Sequence, residues 1–237
     1  MAVARARLRQ YARWQILDYA FGTGGITLAI VCLWIWGAAS VKVVGPNGPV
    51  AASFDWMVEL VAFLGTAFAT SNLISEDRAR GYYRLQFAKP VNPLLLYGQA
   101  FVLRGIALVA IAALVSALGS VTAHPVALLP SVRYTAVMYV LVGGITLCQS
   151  TVWRFAWVGS CALFGLSVVA AQLAAAGAAI SPFWRGVWSI VHAIAPPLVL
   201  QNEVWGGHAL PIVWCLGYGV LALIGSALLL RGLEWAR

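Results

Sequence analysis

Long runs of apolar residues alternate along the chain with short stretches that carry most of its charges. A helix needs about 20 apolar residues to cross a bilayer, and six segments reach this length. Residues 132–180 are too long for one span, so we divide them where Gln149, Ser150, Thr151 and Arg154 interrupt the apolar run. The pattern predicts an all-α integral membrane protein with six transmembrane helices, at about 20–39, 56–74, 94–123, 132–152, 155–180 and 211–230.

Composition excludes a soluble protein. Hydrophobic residues make up 62% of the 237 residues, charged residues only 9%, and the mean hydropathy is +0.88. Soluble domains have about 45–50% apolar and about 25% charged residues. The net charge of +8 indicates contact with anionic cytoplasmic lipid rather than with nucleic acid, because basic residues beside spans bind such lipid. We expect one transmembrane domain over residues 1–237.

The distribution of basic residues predicts the orientation of the spans. With the N-terminus inside, 12 of the 15 Lys and Arg residues are cytoplasmic, and only Lys42, Arg133 and Arg185 lie outside. This bias follows the positive-inside rule. We therefore expect a multi-pass protein of the plasma or inner membrane with both termini in the cytoplasm. The first apolar run is too long for a secretory signal and is treated as a retained helix.

Residues 181–210 differ from the spans, because Pro182, Pro196 and Pro197 divide them and three tryptophans lie among them. The apolar part between the prolines is too short to cross a bilayer. We expect a short outer helix that lies in the interface or dips into the membrane.

Motifs for chemistry are absent from the sequence. The chain has no phosphate-binding loop, no H-E-x-x-H and no G-x-S-x-G, the signatures of nucleotide, zinc and serine-hydrolase sites. All four cysteines lie in apolar stretches without a C-x-x-C spacing, so neither a disulfide framework nor a metal site is expected. The sequence thus gives only weak support to an intramembrane enzyme, and we expect no cofactor on this chain.

The connection between the second and third spans, residues 75–99, is the most informative segment. Ser75 can cap a helix, Glu76 and Asp77 then occupy its first turn, and Pro90 ends it. The segment is either a charged connector at the lipid headgroups or a knob that docks on a cytoplasmic partner. Its aromatic residues, Tyr82, Tyr83 and Phe87, are not explained by contact with water alone.

This segment resembles the coupling helix of the ABC-2 type permeases, the membrane subunits of many ABC exporters. The residues that carry the resemblance follow one another in the family's order: Glu76, Arg78, Gly81, Leu85, Pro90, Tyr97 and Gly98. The chain departs from the family pattern at Gln99, where lysine is frequent, and at Tyr82 and Tyr83. The pattern covers about 25 residues, whereas the arrangement of segments is similar over nearly the whole chain.

The resemblance implies an architecture and a set of partners. Residues 1–19 would form an interfacial elbow helix, 75–93 the coupling region, and 181–210 the outer helices before the last span. Two copies of a cytoplasmic ABC ATPase would hold ATP and Mg, and a second permease subunit, identical or related, would complete the path. Membrane lipids would surround the assembly. ATP hydrolysis would occur on the ATPase and not on this chain. The residues expected to dock on the ATPase are Glu76, Asp77, Arg80, Tyr82, Tyr83, Arg84 and Phe87.

Five polar residues within or beside spans are candidates for a path or a gate: Glu59, Asn72, Arg104, Gln149 and Gln172. Each has a second interpretation. Glu59 could simply reach outer water, Arg104 could extend to cytoplasmic phosphates, and the amides could form interhelical hydrogen bonds. Interhelical bonds are also the first interpretation of Thr66, Thr70 and Ser71.

Two functions remain open on the sequence. The first is a permease that forms half of the path of an ATP-driven exporter for an amphipathic or lipid-like substrate. The alternative is a membrane scaffold or assembly subunit with no transported substrate. Stimulation of ATP hydrolysis by a substrate would distinguish them, because a scaffold should show none.

Overall fold

A computed structural model gives the fold of the chain. It describes residues 2–22, 24–30, 32, 44–45, 48–49, 55–75, 92–121, 127–175, 181–194, 197 and 200–235. The described residues are mostly helical, and a pair of two-residue strands is the exception. Strands β1 (Val44–Gly45) and β2 (Gly48–Pro49) are antiparallel, with Val44 opposite Pro49.

The helices follow in chain order. Helix α1 covers Ala2–Phe21, and residues 24–30 are also helical. Next come α2 (Asp55–Leu60), a π-helix (Val61–Gly65) and α3 (Thr66–Ser71), which follow one another without a break. The remaining elements are α4 (Pro93–Val121), α5 (Leu128–Ser150), α6 (Ala156–Ala175), α7 (Pro182–Ile194), α8 (Gln201–Gly206) and α9 (Ala209–Trp235).

Four helices among the described residues are long and apolar enough to cross a membrane: Leu94–Leu118, Leu128–Ser150, Ala156–Leu173 and Ala209–Gly232. Val58–Ser71 is a shorter apolar helix. These helices support the prediction of a membrane protein. Much of the expected first span, 20–39, and most of the coupling region, 75–93, lie outside the described residues, so the count of six spans stays a prediction.

The predicted break in the apolar stretch 132–180 is confirmed. Helix α5 ends at Ser150 and α6 begins at Ala156. The side chains of Ser150 and Thr151 bond back to the carbonyl oxygens of Leu147 and Cys148, at 2.8 and 2.7 Å. These hydroxyls donate to carbonyl oxygens in the last turn of α5, where a helix leaves its carbonyls without intrahelical partners.

Local sequence also explains where α4 begins. The backbone N–H of Leu94 donates to Asn92 Oδ1 at 2.9 Å, as in other helices capped by asparagine. Pro93 occupies the first turn, where its missing N–H costs no intrahelical bond. The start of α4 is therefore fixed by Asn92 and Pro93.

Helix α5 lies at the centre of the described bundle. It packs against α3, α4, α6, α8 and α9, and 61% of its apolar window is buried, against 17% for α9. Its closest neighbour is α9, and no side chains separate the two helices where Gly144 meets Gly219. Small residues allow such close approach of helices in membranes.

The predicted short helices between the fifth and sixth expected spans are present. Helix α7 packs against α6 and leaves Phe183, Trp184 and Ile190 exposed. Helix α8 packs on α5, with Val204 fully buried. Residues 2–19 of the N-terminal segment lie within α1, which extends to Phe21.

Candidate functional site

Arg104 joins three helices within the bundle. It lies on α4, and its Nη1 donates to the carbonyl oxygen of Ala69 on α3 at 2.6 Å. Its side chain is only 14% exposed. The guanidinium is thus held by protein groups rather than extended towards lipid phosphate, which was one of the two interpretations of this residue.

Helix α1 contacts the same guanidinium. Arg104 Nη2 lies 3.8 Å from Asp18 Oδ2, and the guanidinium carbon lies 5.8 Å from the centre of the Tyr19 ring. A cation over an aromatic face is attracted by the ring. The carboxylate of Asp18 is 81% exposed, so α1 presents one exposed acid and one buried ring to Arg104.

Tyr19 is the buried member of this pair, and 3% of its surface is exposed. Its hydroxyl has no hydrogen-bond partner among the described residues. The ring also prevents a larger residue at position 24, because a Cβ on Gly24 would lie 2.7 Å from it.

Tyr139 fixes the depth of Arg104 in the bundle. Its hydroxyl donates to the carbonyl oxygen of Phe101 at 2.6 Å, and its ring covers Gly105, where a Cβ would lie 2.6 Å away. Tyr139 lies eleven residues from either end of α5. Arg104 is therefore level with the middle of the central helix, where an ionisable residue is costly and its protein contacts matter.

The other four path candidates lie at separate places among the described residues. Glu59 is partly buried in α2. Asn72 is exposed where α3 ends, thirteen positions after Glu59, which corresponds to about 20 Å along a helix. Gln172 is exposed on α6. The described residues thus bring no continuous row of these polar groups together.

Gln149 belongs to a polar cluster between α5 and α6. Its Oε1 accepts from the Ser160 hydroxyl at 3.2 Å, and that hydroxyl lies 2.6 Å from Thr146 Oγ1. Gly159 leaves room for the amide, since a Cβ there would lie 2.6 Å from Oε1. The cluster agrees with the interhelical interpretation of Gln149.

The hydroxyls of the second expected span do not follow the interhelical interpretation. Thr70 Oγ1 donates to the carbonyl oxygen of Thr66 at 2.8 Å, and Ser71 Oγ donates to Phe68 at 3.3 Å. Both bonds lie within the same segment. A hydroxyl three or four residues beyond a carbonyl reaches it easily in a helix, so Thr70 and Ser71 bond within their own segment. The buried hydroxyl of Thr66 has no hydrogen-bond partner among the described residues.

Sequence reasoning missed the π-helix Val61–Gly65. Single π turns inside helices frequently occur at functional sites. The Phe63 and Phe164 rings are 4.8 Å apart, and a Cβ on Gly65 would lie 2.8 Å from Leu108. The segment therefore packs closely on α4 and α6, and no signal in the sequence distinguished it from an ordinary helix.

Sequence reasoning also missed the role of Arg133, which entered only as a marker of orientation. Its Nη2 donates to the carbonyl oxygen of Trp205 at the end of α8, and the Trp205 and Tyr134 rings are 5.3 Å apart. Gly207 follows with φ of 83°, a backbone conformation that glycine adopts readily. Its missing Cβ also leaves room for the Arg133 guanidinium.

The expected ATPase-docking residues cannot be placed. Glu76, Asp77, Arg80, Tyr82, Tyr83, Arg84 and Phe87 lie outside the described residues. Ser75, which precedes them, donates its hydroxyl to the carbonyl oxygen of Ser71 at 3.0 Å.

Within the part of the chain that the structure describes, no three His, Cys, Asp or Glu residues form a group that could hold a metal ion. No protein-family model, curated protein or solved structure matches the chain. Its function has to be deduced from its own residues.

Proposed function

We propose that this chain is the permease subunit of an ATP-driven ABC exporter and forms half of the path for an amphipathic or lipid-like substrate. The observation that carries the proposal is the position of Arg104. It links α3 and α4, the two helices that flank residues 76–91, and it links both of them to α1. The segment with the coupling-helix pattern thus lies in the chain between two helices that Arg104 connects to each other and to α1.

The contacts of Arg104 would allow residues 76–91, the connector between α3 and α4, to transmit movement into the bundle. The connector follows the segment that ends at Ser75 and leads into α4 at Pro93, so a force on it acts on both flanking helices. The bond from Arg104 to Ala69 lies about 16 Å along α4 from Pro93. Movement of the connector would reach the middle of the bundle and α1 through this bond.

The partners follow from the same proposal. Two cytoplasmic ATPase subunits hold ATP and Mg and bind the connector through Glu76, Asp77, Arg80, Tyr82, Tyr83, Arg84 and Phe87. A second permease subunit supplies the other half of the path. A path shared by two subunits is supported by the buried hydroxyls of Thr70, Ser116 and Thr146, which bond to carbonyl oxygens of their own helices. These bonds leave few polar groups for a channel within one chain.

The docking test uses the full chain, purified with a tag in mild detergent from the cells that make it. We expect an ATPase subunit to co-purify and to hydrolyse ATP. The variant with Tyr82→Ala and Tyr83→Ala should retain less than a tenth of it, since a buried aromatic ring contributes about 1.5–3 kcal/mol. The matched control replaces Phe183 and Trp184, two exposed aromatic residues on α7, with alanine.

The outcomes are distinct. Loss of the ATPase from the Tyr82/Tyr83 variant alone, with normal membrane insertion, supports the coupling role. Retention of the ATPase and of transport in that variant makes the connector a plain linker and removes the main reason for the proposal. Equal loss in both variants would indicate misfolding rather than docking, and it would count against a specific contact at 82–83.

A scaffold without a transported substrate is the second candidate. It is favoured by the separation of the path candidates, since Glu59 and Asn72 are thirteen positions apart on one segment, about 20 Å along a helix, and Gln172 is exposed on α6. Amphipathic compounds should stimulate the ATP hydrolysis of a reconstituted exporter. A complex that hydrolyses ATP at one rate, whatever compound is added, would favour the scaffold.

A further inference from the structure

The turn between α5 and α6 exposes four consecutive side chains. Val152 is 74% exposed, Trp153 48% and Phe155 52%, and Arg154 is exposed between them. Turns that face water are dominated by Gly, Pro, Asn, Asp and Ser. Three apolar residues around one arginine form an unusual surface for a turn in water.

The shape of this turn is fixed by its own backbone. The N–H groups of Val152 and Trp153 both donate to the carbonyl oxygen of Gln149, at 3.0 and 2.8 Å. On the other side, the N–H of Val158 donates to the carbonyl oxygen of Phe155 at 3.0 Å. These backbone groups are therefore paired with one another, while the side chains of Val152, Trp153 and Phe155 are exposed.

The aromatic rings of the turn also keep a defined arrangement. The ring centres of Trp153 and Phe155 lie 6.4 Å apart, and the ring planes are nearly perpendicular, at 82°. Edge-to-face pairs of this kind are favourable. The two rings therefore form one apolar surface beside Arg154 rather than two independent side chains.

Helix length places the turn at headgroup level. The 23 residues of α5 extend over about 34 Å, and the hydrocarbon core of a bilayer is about 30 Å thick. A turn of five residues, 151–155, is too short to project far beyond that boundary. Its environment is the layer of lipid headgroups, where tryptophan is enriched.

The charge of the turn selects one class of lipid. Arg154 lies on the side that the basic residues mark as cytoplasmic, where anionic lipids attract Lys and Arg. The sequence at the other end of α5, residues 122–127 (TAHPVA), has no Lys, Arg, Trp or Phe. Arg133, in the second turn of α5 at that end, donates to the carbonyl oxygen of Trp205, whereas Arg154 is exposed, so the two ends of the helix differ in the arginine they offer to an anionic headgroup.

We infer that residues 152–155 form a contact site for anionic phospholipid headgroups. Arg154 binds the phosphodiester, and Trp153 and Phe155 lie at the boundary between headgroups and acyl chains. The site fixes the depth of the α5–α6 pair in the membrane. It does not depend on the transport proposal, because it needs only the turn and its side of the membrane.

The test measures lipid selectivity on the purified full chain. The protein in detergent is incubated with equal amounts of phosphatidylglycerol and phosphatidylcholine, and native mass spectrometry counts the lipids that remain bound. Arg154→Gln should reduce the preference for phosphatidylglycerol about fivefold, which corresponds to ~1 kcal/mol for one basic residue. Arg154→Lys should keep most of it.

Arg231→Gln is the matched control, because Arg231 is also exposed and lies near the end of α9 on the expected cytoplasmic side. We expect it to retain the preference. An unchanged preference in Arg154→Gln, or an equal loss in both variants, overturns the site, since the effect would then come from overall charge.

Depth provides a second measurement that does not need Arg154 to be changed. A fluorophore on Val152→Cys, in a chain whose four native cysteines are replaced, should be quenched by nitroxide lipids labelled at the headgroup. Quenching by aqueous iodide instead would contradict the site. Strong iodide quenching that the co-purified ATPase abolishes would identify a protein partner, not lipid, as the occupant.

Discussion

Gly144 of α5 and Gly219 of α9 meet where the two helices cross, and a Cβ on Gly144 would lie 2.5 Å from the carbonyl oxygen of Gly219. A Cβ on Gly219 would in turn strike the backbone of Val140 and Leu141. Backbone atoms cannot rotate away as the end of a side chain can. The crossing of α5 and α9 therefore depends on the absence of two methyl groups.

Gly219→Ala should destabilise the chain by about 1–3 kcal/mol, the usual cost of forcing extra atoms into a packed core. The apparent melting temperature in detergent would fall. Gly217→Ala is the control, because position 217 lies on the same helix with nothing within 4 Å of its Cβ. Equal melting temperatures for the two variants would contradict the close crossing.

A second glycine can be tested by rescue. Gly159→Ala should destabilise the α5–α6 contact, since its Cβ would lie 2.6 Å from Gln149 Oε1. Gln149→Ala in the same chain removes the clash, so the double variant should be more stable than additive single effects predict. Strict additivity would show that Gly159 and Gln149 do not touch.

The ion pair of Arg104 with Asp18 and its hydrogen bond to Ala69 should differ in strength. Asp18→Asn should cost less than Arg104→Gln, because the Asp18 carboxylate lies 3.8 Å from the guanidinium and is 81% exposed. Arg104→Gln should cost about 1.5–3 kcal/mol, the range for a hydrogen bond to a charged group, since it removes the short bond to Ala69. The comparison uses unfolding in a denaturing detergent, and a larger effect of Asp18→Asn would reverse our assignment.

Labelling tests the orientation. Cysteines introduced as Asn47→Cys and Arg80→Cys should react with impermeant reagents from opposite sides, because 12 of the 15 basic residues are assigned to one side. Membranes of known sidedness supply the comparison. Reaction of both positions from the same side would show that the assignment of spans before Arg80 is wrong.

The sequence predicted the ends of helices where a residue acts on the backbone next to it. The polar residues from Gln149 to Arg154 predict the end of α5, and α4 begins at Pro93, one residue before the start predicted for the third span. Such signals act within one or two helical turns. They need no knowledge of how helices rotate against one another.

The contacts between helices could not be predicted from such local signals. The spans α4, α5, α6 and α9 are apolar on all sides, so no polar face indicates which side turns inward. Arg104 is conspicuous in the sequence, but its acceptor on Ala69 depends on the rotation of both helices. The bond from Arg133 to Trp205 connects positions 72 residues apart, and the sequence gives no marker of that pairing.

The central position of α5 has a consequence for how the chain is made. It is the least apolar of the four candidate spans, and most of its window is covered by protein, so lipid alone is a poor environment for it when it leaves the ribosome. Its main neighbour, α9, is completed 85 residues later, about 4–17 s at ordinary rates of synthesis. During that interval α5 has to remain beside the insertion machinery or a chaperone, and its final burial is a late event in biogenesis.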